Sequence, residues 1–268
     1  MHFHFLHANG YPPACYKPLM ELLIHQYRVN AMHLRPLWPG SRPTEIGAWH
    51  PFTDDLLLFL DEQKIDSTIG TGHSIGAIVT LRTALRRPDK FRALVLIDPV
   101  LFPPRFIATW NLLKAVGLGY KLHPLVTGAL KRRRQFDDLD QLFIAYRRKR
   151  IFRYFSDDAL RAYIDGIVKP NQEHGYELIY SPEWEARIYY TGIWRDIDLW
   201  WGLPALKVPT LIIRGAETDT FLNPTARRVK KIRPATTIIT LEKSTHLVPI
   251  EKPQETYETI NKFIQGIL

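Results

Sequence analysis

The sequence has almost no cysteine: Cys15 is the single one in 268 residues. That excludes an internal disulfide and favours a reducing compartment. Long apolar runs are missing too. Met1 to Phe5 offers neither a basic leader nor an apolar core, and no later stretch is long and apolar enough to span a bilayer, so a cytoplasmic protein is expected. There is no internal repeat and no low-complexity segment. Partners for a metal are also lacking: His2, His4 and His7 lie on an alternating stretch with no carboxylate or cysteine beside them and read as packing residues. No metal and no cofactor are expected.

The formal charge of +9 suggests nucleic acid until it is located. Between Lys131 and Arg153 stand nine Lys or Arg against three Asp, so +6 of it is local. Nothing there resembles a nucleic-acid motif, and none is expected as partner. The stretch reads as a solvated helix face, making at most weak contact with an anionic surface.

What is present centres on Ile69-Gly70-Thr71-Gly72-His73-Ser74-Ile75-Gly76-Ala77, an apolar run that ends in G-x-S-x-G and becomes a helix pattern. This is the sequence form of a nucleophile elbow, in which a strained strand-to-helix turn thrusts a serine hydroxyl outward. Ser67 to Gly72 supplies the strand; Ile75 to Arg87 supplies the helix, stopped by Pro88. The Ile75 N–H, at the helix N-terminus, faces any negative charge formed beside Ser74.

Around the elbow, strands and helices alternate. Strands are expected at His2 to His7, Arg28 to Leu34, Phe91 to Asp98, Val208 to Arg214 and Thr236 to Leu241. Helices are expected at Lys17 to Tyr27, Trp49 to Gln63, after Asn223-Pro224 and from Pro253. Such alternation gives an α/β fold, a doubly wound, mostly parallel sheet. From Leu101 to Leu206 the rhythm changes to helical stretches with no convincing strand, with helix starts at Ser156 and Ser181. The expected division is therefore a core of residues 1–100 and 207–268 with a helical insertion at 101–206.

A serine nucleophile needs a base and a group to orient that base. Loops after the last two strands carry Gly215-Ala216-Glu217-Thr218-Asp219 and Ser244-Thr245-His246-Leu247-Val248-Pro249. The order Ser74, Asp219, His246, with the turn His7-Ala8-Asn9-Gly10-Tyr11-Pro12, resembles the α/β-hydrolase family of the serine esterase and lipase type. Leu94 to Val100, Ser181 to Arg187 and His246 to Pro253 also look like segments of that family. The resemblance implies Ser74 as nucleophile, His246 as general base and Asp219 as its orienter, with the Tyr11 and Ile75 N–H groups as oxyanion hole. Asp98 is the rival acid, because some members take theirs from that strand end. Pro99 after Asp98 reads as holding a loop, whereas the polar turn around Asp219 can carry a side chain back over the sheet edge, so Asp219 is preferred. The family's usual antiparallel hairpin is missing, which exposes the second strand to pairing with another copy of the chain. His73 reads as a structural neighbour of the elbow, and Cys15 as core.

An insertion at that point resembles a cap that roofs the active site. Its aromatic residues Trp184, Tyr189, Tyr190 and Trp194 are the candidates for lining an apolar substrate pocket. The implied activity is hydrolysis of a small-to-medium apolar ester through an acyl-enzyme. The same triad serves thioesterases, lactonases and carbon–carbon bond hydrolases, and a catalytically idle fold binding anions through its basic cap is the competing class.

Overall fold

In the computed structural model, residues 1–117, 123–172 and 174–267 are described. The chain opens with β1 (His2–Leu6), α1 (Lys17–Leu23), β2 (Arg28–Met32), α2 (His50–Glu62), β3 (Thr68–His73), α3 (Ile75–Arg86) and β4 (Phe91–Ile97). A long insertion follows, beginning with α4 (Pro104–Ala115). It contains further helices and a small antiparallel sheet of β5 (Gln135–Phe136), β6 (Val168–Pro170) and β7 (Tyr176–Leu178). Those strands correct the expectation of an insertion without strands; pieces of two or three residues are too short to show a period. The main sheet then resumes with β8 (Thr210–Gly215) and β9 (Thr237–Leu241).

The main sheet has six strands in the order β2-β1-β3-β4-β8-β9, every pair parallel. Alternation along β4 explains its continuous apolar sequence. Leu94 and Leu96 enter the core beneath α2 and α3, while Ala93, Val95 and Ile97 enter the core beneath α1 and the last helix, Pro253–Gln265. Helix α3 is buried at ten of its twelve residues, which suits an element covered by sheet and neighbours. Ser156 and Ser181 cap their helices as expected, accepting from the Ala159 and Trp184 N–H groups.

The chain runs from β1 outward to β2 and returns past β1 to β3. The order therefore reverses between β1 and β3, and a crevice opens beyond their carboxyl ends. Leu6 lies opposite Gly72 across that reversal, so the loop after β1 stands beside the elbow. Among the described residues no helix is long and apolar enough to cross a membrane.

Candidate active site

The chain passes from β3 to α3 through Ser74 alone. Ser74 therefore adopts φ 59° and ψ −118°, a region that costs a non-glycine residue about 1–3 kcal/mol. Both flanking glycines are steric demands. A Cβ on Gly72 would stand 2.3 Å from the Gly76 carbonyl group, and one on Gly76 would stand 2.1 Å from the Leu6 carbonyl oxygen. The first glycine clears the helix; the second clears the neighbouring strand.

Ser74 Oγ lies 2.9 Å from His246 Nε2, and His246 Nδ1 lies 2.9 Å from Asp98 Oδ1. The carboxylate that meets the imidazole is thus Asp98, which corrects the expectation of Asp219. The register explains it. Ser74 N–H donates to the Ile97 carbonyl at 3.0 Å and Asp98 N–H to the Ile213 carbonyl at 2.7 Å, so the ladder runs on to both residues and delivers them at one edge. The polar turn after β8 then folds over Asp98. Gly215 N–H donates to Asp98 Oδ2 at 2.8 Å, and the Thr218 and Thr220 hydroxyls donate to Oδ1 at 2.5 and 2.6 Å. That turn holds the neighbouring strand's carboxylate instead of presenting its own. Asp219 stays exposed at the cavity wall, where its charge favours protonated His246, and among the described residues it makes no hydrogen bond to the ring.

Burial alone would push Asp98 up, but hydrogen bonds from His246, Thr218 and Thr220 outweigh it and hold the carboxyl below the usual range. Burial alone would likewise push His246 down, yet the bond to Asp98 and its charge raise the imidazole above its ordinary value. An ionised Asp98 can only accept, so the proton sits on Nδ1 and leaves Nε2 to accept from the serine hydroxyl.

A second, largely buried chain of bonds fixes this arrangement from behind. Ala8 N–H donates to the Tyr16 hydroxyl at 3.1 Å, that hydroxyl donates to His73 Nδ1 at 2.7 Å, and His73 Nε2–H donates to the His246 carbonyl at 2.8 Å. Burial pushes His73 down to about 3, so it stays neutral and can donate on one side while accepting on the other. The expectation that His73 is a structural neighbour of the elbow is met, with a larger reach: it ties the loop after β1 to the backbone of His246.

The loop after β1 corrects a further expectation. The Tyr11 N–H is already donated to the Ala8 carbonyl at 3.2 Å, closing the turn, so it is not free for an oxyanion. Asn9 is held from the insertion, its Nδ2 donating to the Glu185 carbonyl at 3.0 Å and its Oδ1 accepting from the Tyr180 hydroxyl at 2.9 Å. Its main-chain N–H, like that of Ile75, donates to no other group among the described residues. His7 supports the same turn, with Nδ1–H donating to the Ala8 carbonyl at 2.8 Å and Nε2 accepting from Leu34 N–H at 3.1 Å.

Above the serine lies a cavity of about 580 Å³. Trp49, Phe102, Phe106, Trp110, Ile188 and Tyr189 form its apolar side, and Arg150, Arg153, Glu217 and Asp219 stand on its polar side. Among the described residues no group of three His, Cys, Asp or Glu side chains is placed to hold a metal.

The sequence profile of the alpha/beta hydrolase family matches residues 5–259. The chain belongs to the alpha/beta hydrolase family. An epoxide hydrolase of Caballeronia sordidicola is 32% identical over 93 residues, 33% of this chain and 28% of that protein. Strigolactone esterase D14 of Arabidopsis thaliana is 39% identical over 57 residues, 21% of this chain and 20% of that protein. These matches span less than a third of either relative's length. Over the whole fold, E-2-(acetamidomethylene)succinate hydrolase superposes with a TM-score of 0.77 at 19% identity, covering 98% of this chain and 91% of that one.

In this hydrolase-family chain, Tyr189 is the one of the four proposed pocket aromatics that reaches the cavity. Trp184 is buried in the core, on the helix face that also carries Ile188. Tyr190 and Trp194 turn toward Lys114, whose ammonium lies 4.6 and 4.9 Å from their ring centroids. Trp49 and Phe102, outside the helices considered, take their place. Thr218, Thr220, Tyr16 and Asn9 were not legible as site residues; the Gly-x-x-Thr-x-Thr turn beside a strand-end Asp was the available signal for the first two.

Proposed function

We propose that this chain is a serine hydrolase that cleaves an ester, or a related acyl bond, of a small-to-medium apolar substrate. The observation that supports it most is the continuous hydrogen-bonded line Ser74 Oγ, His246, Asp98, each step 2.9 Å. His246 Nε2 takes the serine proton as Oγ attacks the carbonyl carbon. The tetrahedral intermediate collapses by expelling the alcohol, which receives that proton from His246, and the acyl group stays on Ser74. Water then repeats the attack with His246 as base, releasing the acid and restoring the serine. Asp98 keeps the imidazole in the required tautomer and balances its charge. The Ile75 and Asn9 N–H groups are the proposed oxyanion donors, Ile75 because the first amide of a helix has no acceptor within it. The aromatic side of the cavity suits an apolar acyl or aryl group. The partial match to an esterase, rather than to an epoxide hydrolase, is the one this chemistry favours, because the elbow carries a serine.

A fluorophosphonate probe tests the assignment. Wild type is expected to be labelled at Ser74 and Ser74→Ala to remain unlabelled, while a panel of chromogenic esters, thioesters and lactones of graded acyl length locates the preferred bond. Labelling that persists in Ser74→Ala removes the reading.

A further inference from the structure

Beside the cavity over Ser74 lies a second, open one of about 740 Å³, lined by Tyr11 and otherwise by the insertion. Tyr11, Leu125, Ile151 and Tyr189 line both, so side chains alone part the two volumes. Most charges around them are already matched. Arg132 pairs with Glu185 at 2.5 Å, Arg133 with Asp137 at 2.9 Å and Arg153 with Glu217 at 2.5 Å, while Asp138 caps a helix by accepting from Gln141 N–H at 2.8 Å. Lys149 and Arg150 are different. They straddle the partition at Ile151, Lys149 on the wall of the second cavity and Arg150 on the wall of the first. Among the described residues neither has a carboxylate within ion-pair distance; Glu217 senses Arg150, but its oxygens are taken by Arg153 and the Tyr154 hydroxyl. Lys149 Nζ sits 4.0 Å from the centroid of the Tyr146 ring, and partial burial, then the charge of Arg132, pull it below the usual lysine range. Lys131, exposed on the second cavity's wall, adds a further cation.

We propose that the substrate carries an anionic group, a carboxylate or a phosphate, that seats against Lys149 and Arg150 at the partition while the scissile carbonyl lies at Ser74. The inference rests on the ester-hydrolase reading and names the substrate class for it. Each is a solvent-facing cation with, among the described residues, no ion pair of its own, and Lys149 already lies in the field of Arg132, so an anion at the junction of the two cavities adds a favourable contact to both. The second cavity gives such a substrate room beyond the charged group, and the aromatic side of the first holds its apolar part.

The test compares mono-p-nitrophenyl glutarate with p-nitrophenyl valerate, equal in acyl length and different in terminal charge. At low salt, wild-type kcat/KM is expected to favour the half-ester by about tenfold, the scale of one partly shielded charge contact. The preference should shrink toward one as sodium chloride rises to about 0.5 M. It should shrink likewise at low salt in the Lys149→Gln/Arg150→Gln variant. A wild-type ratio at or below one, or a ratio unchanged in the variant, overturns the inference. Should the variant fail to fold, the salt series on wild type decides alone. Inorganic phosphate and glutarate, compared as inhibitors of half-ester cleavage, separate the two anions. If valerate is cleaved without any anionic preference, only this inference falls. If neither ester is cleaved and Ser74 stays unlabelled, the hydrolase reading falls. Calorimetry of glutarate with wild type and with the double variant then still tests the seat, and equal or absent binding overturns it.

Discussion

Two parallel strands end side by side, each followed by an aspartate, and only one of those aspartates meets the imidazole. Asp98 leaves β4 with φ 40° and has no exposed surface, receiving a backbone N–H, two hydroxyls and the His246 ring. Asp219 leaves the turn after β8 exposed to water. The difference lies in the donors, not in the acid. A carboxylate that must stay ionised away from solvent needs several bonds to its charged form, and the Gly215 to Thr220 turn spends its donors on Asp98.

The strongest way to break this comparison is Asp98→Asn. The amide favours the wrong imidazole tautomer, so ester turnover should fall on the order of 10⁴-fold. Activity kept in Asp98→Asn and lost in Asp219→Asn would reverse the roles of the two residues. Tyr16→Phe comes next. It strands the His73 ring and the Ala8 N–H without their shared hydroxyl, so kcat should drop about tenfold to a hundredfold with a loss of about 1–3 kcal/mol in stability, read by denaturant unfolding. A variant with full kcat and the same stability loss would make the chain of bonds purely structural.

Thr220→Val removes one donor to Asp98 and one neighbour of His246 Nδ1. A loss of about 1–3 kcal/mol in transition-state stabilisation, or roughly fivefold to 150-fold in kcat/KM, is expected; wild-type rates would show that Gly215 and Thr218 suffice. Asp219→Asn should have the smallest effect, less than about fivefold in kcat/KM, and its signature is the pH profile. His246 works as a base only when neutral, and its pKa is raised in the native protein. Activity should therefore rise with pH and reach half its plateau above the ordinary histidine value of about 6.5. Removing the Asp219 charge should shift that midpoint slightly down, and an upward shift would contradict the geometry.

The elbow, the six main strands and the histidine loop were legible because each is written in a few adjacent residues. Gly72 and Gly76 meet backbone that the five-residue motif itself places. The acid was not legible in that way. Whether Asp98 or Asp219 faces Nδ1 depends on how the turn at 215–220 folds onto another strand, a relation between residues more than 100 positions apart. The Tyr11 amide failed for a related reason, since the closure of its own turn decides which N–H is spent. In the insertion, Trp184 and Tyr189 differ by about one and a half helical turns, and only the packing of that helix against the core separates a core residue from a wall.

The two bonds of Asn9 to the insertion have a mechanical consequence. Its side chain is gripped by the Glu185 carbonyl and the Tyr180 hydroxyl, and its backbone belongs to the turn beside the elbow. The Pro182–Thr191 helix and the turn that carries the Asn9 N–H are thereby linked as one part. A hinge motion that lifts the Pro182–Thr191 helix to admit or release a molecule pulls on Asn9, unless both bonds break first. On the proposed mechanism, such a motion would move the Asn9 N–H away from the oxyanion, so the acyl step would belong to the state in which both bonds are made.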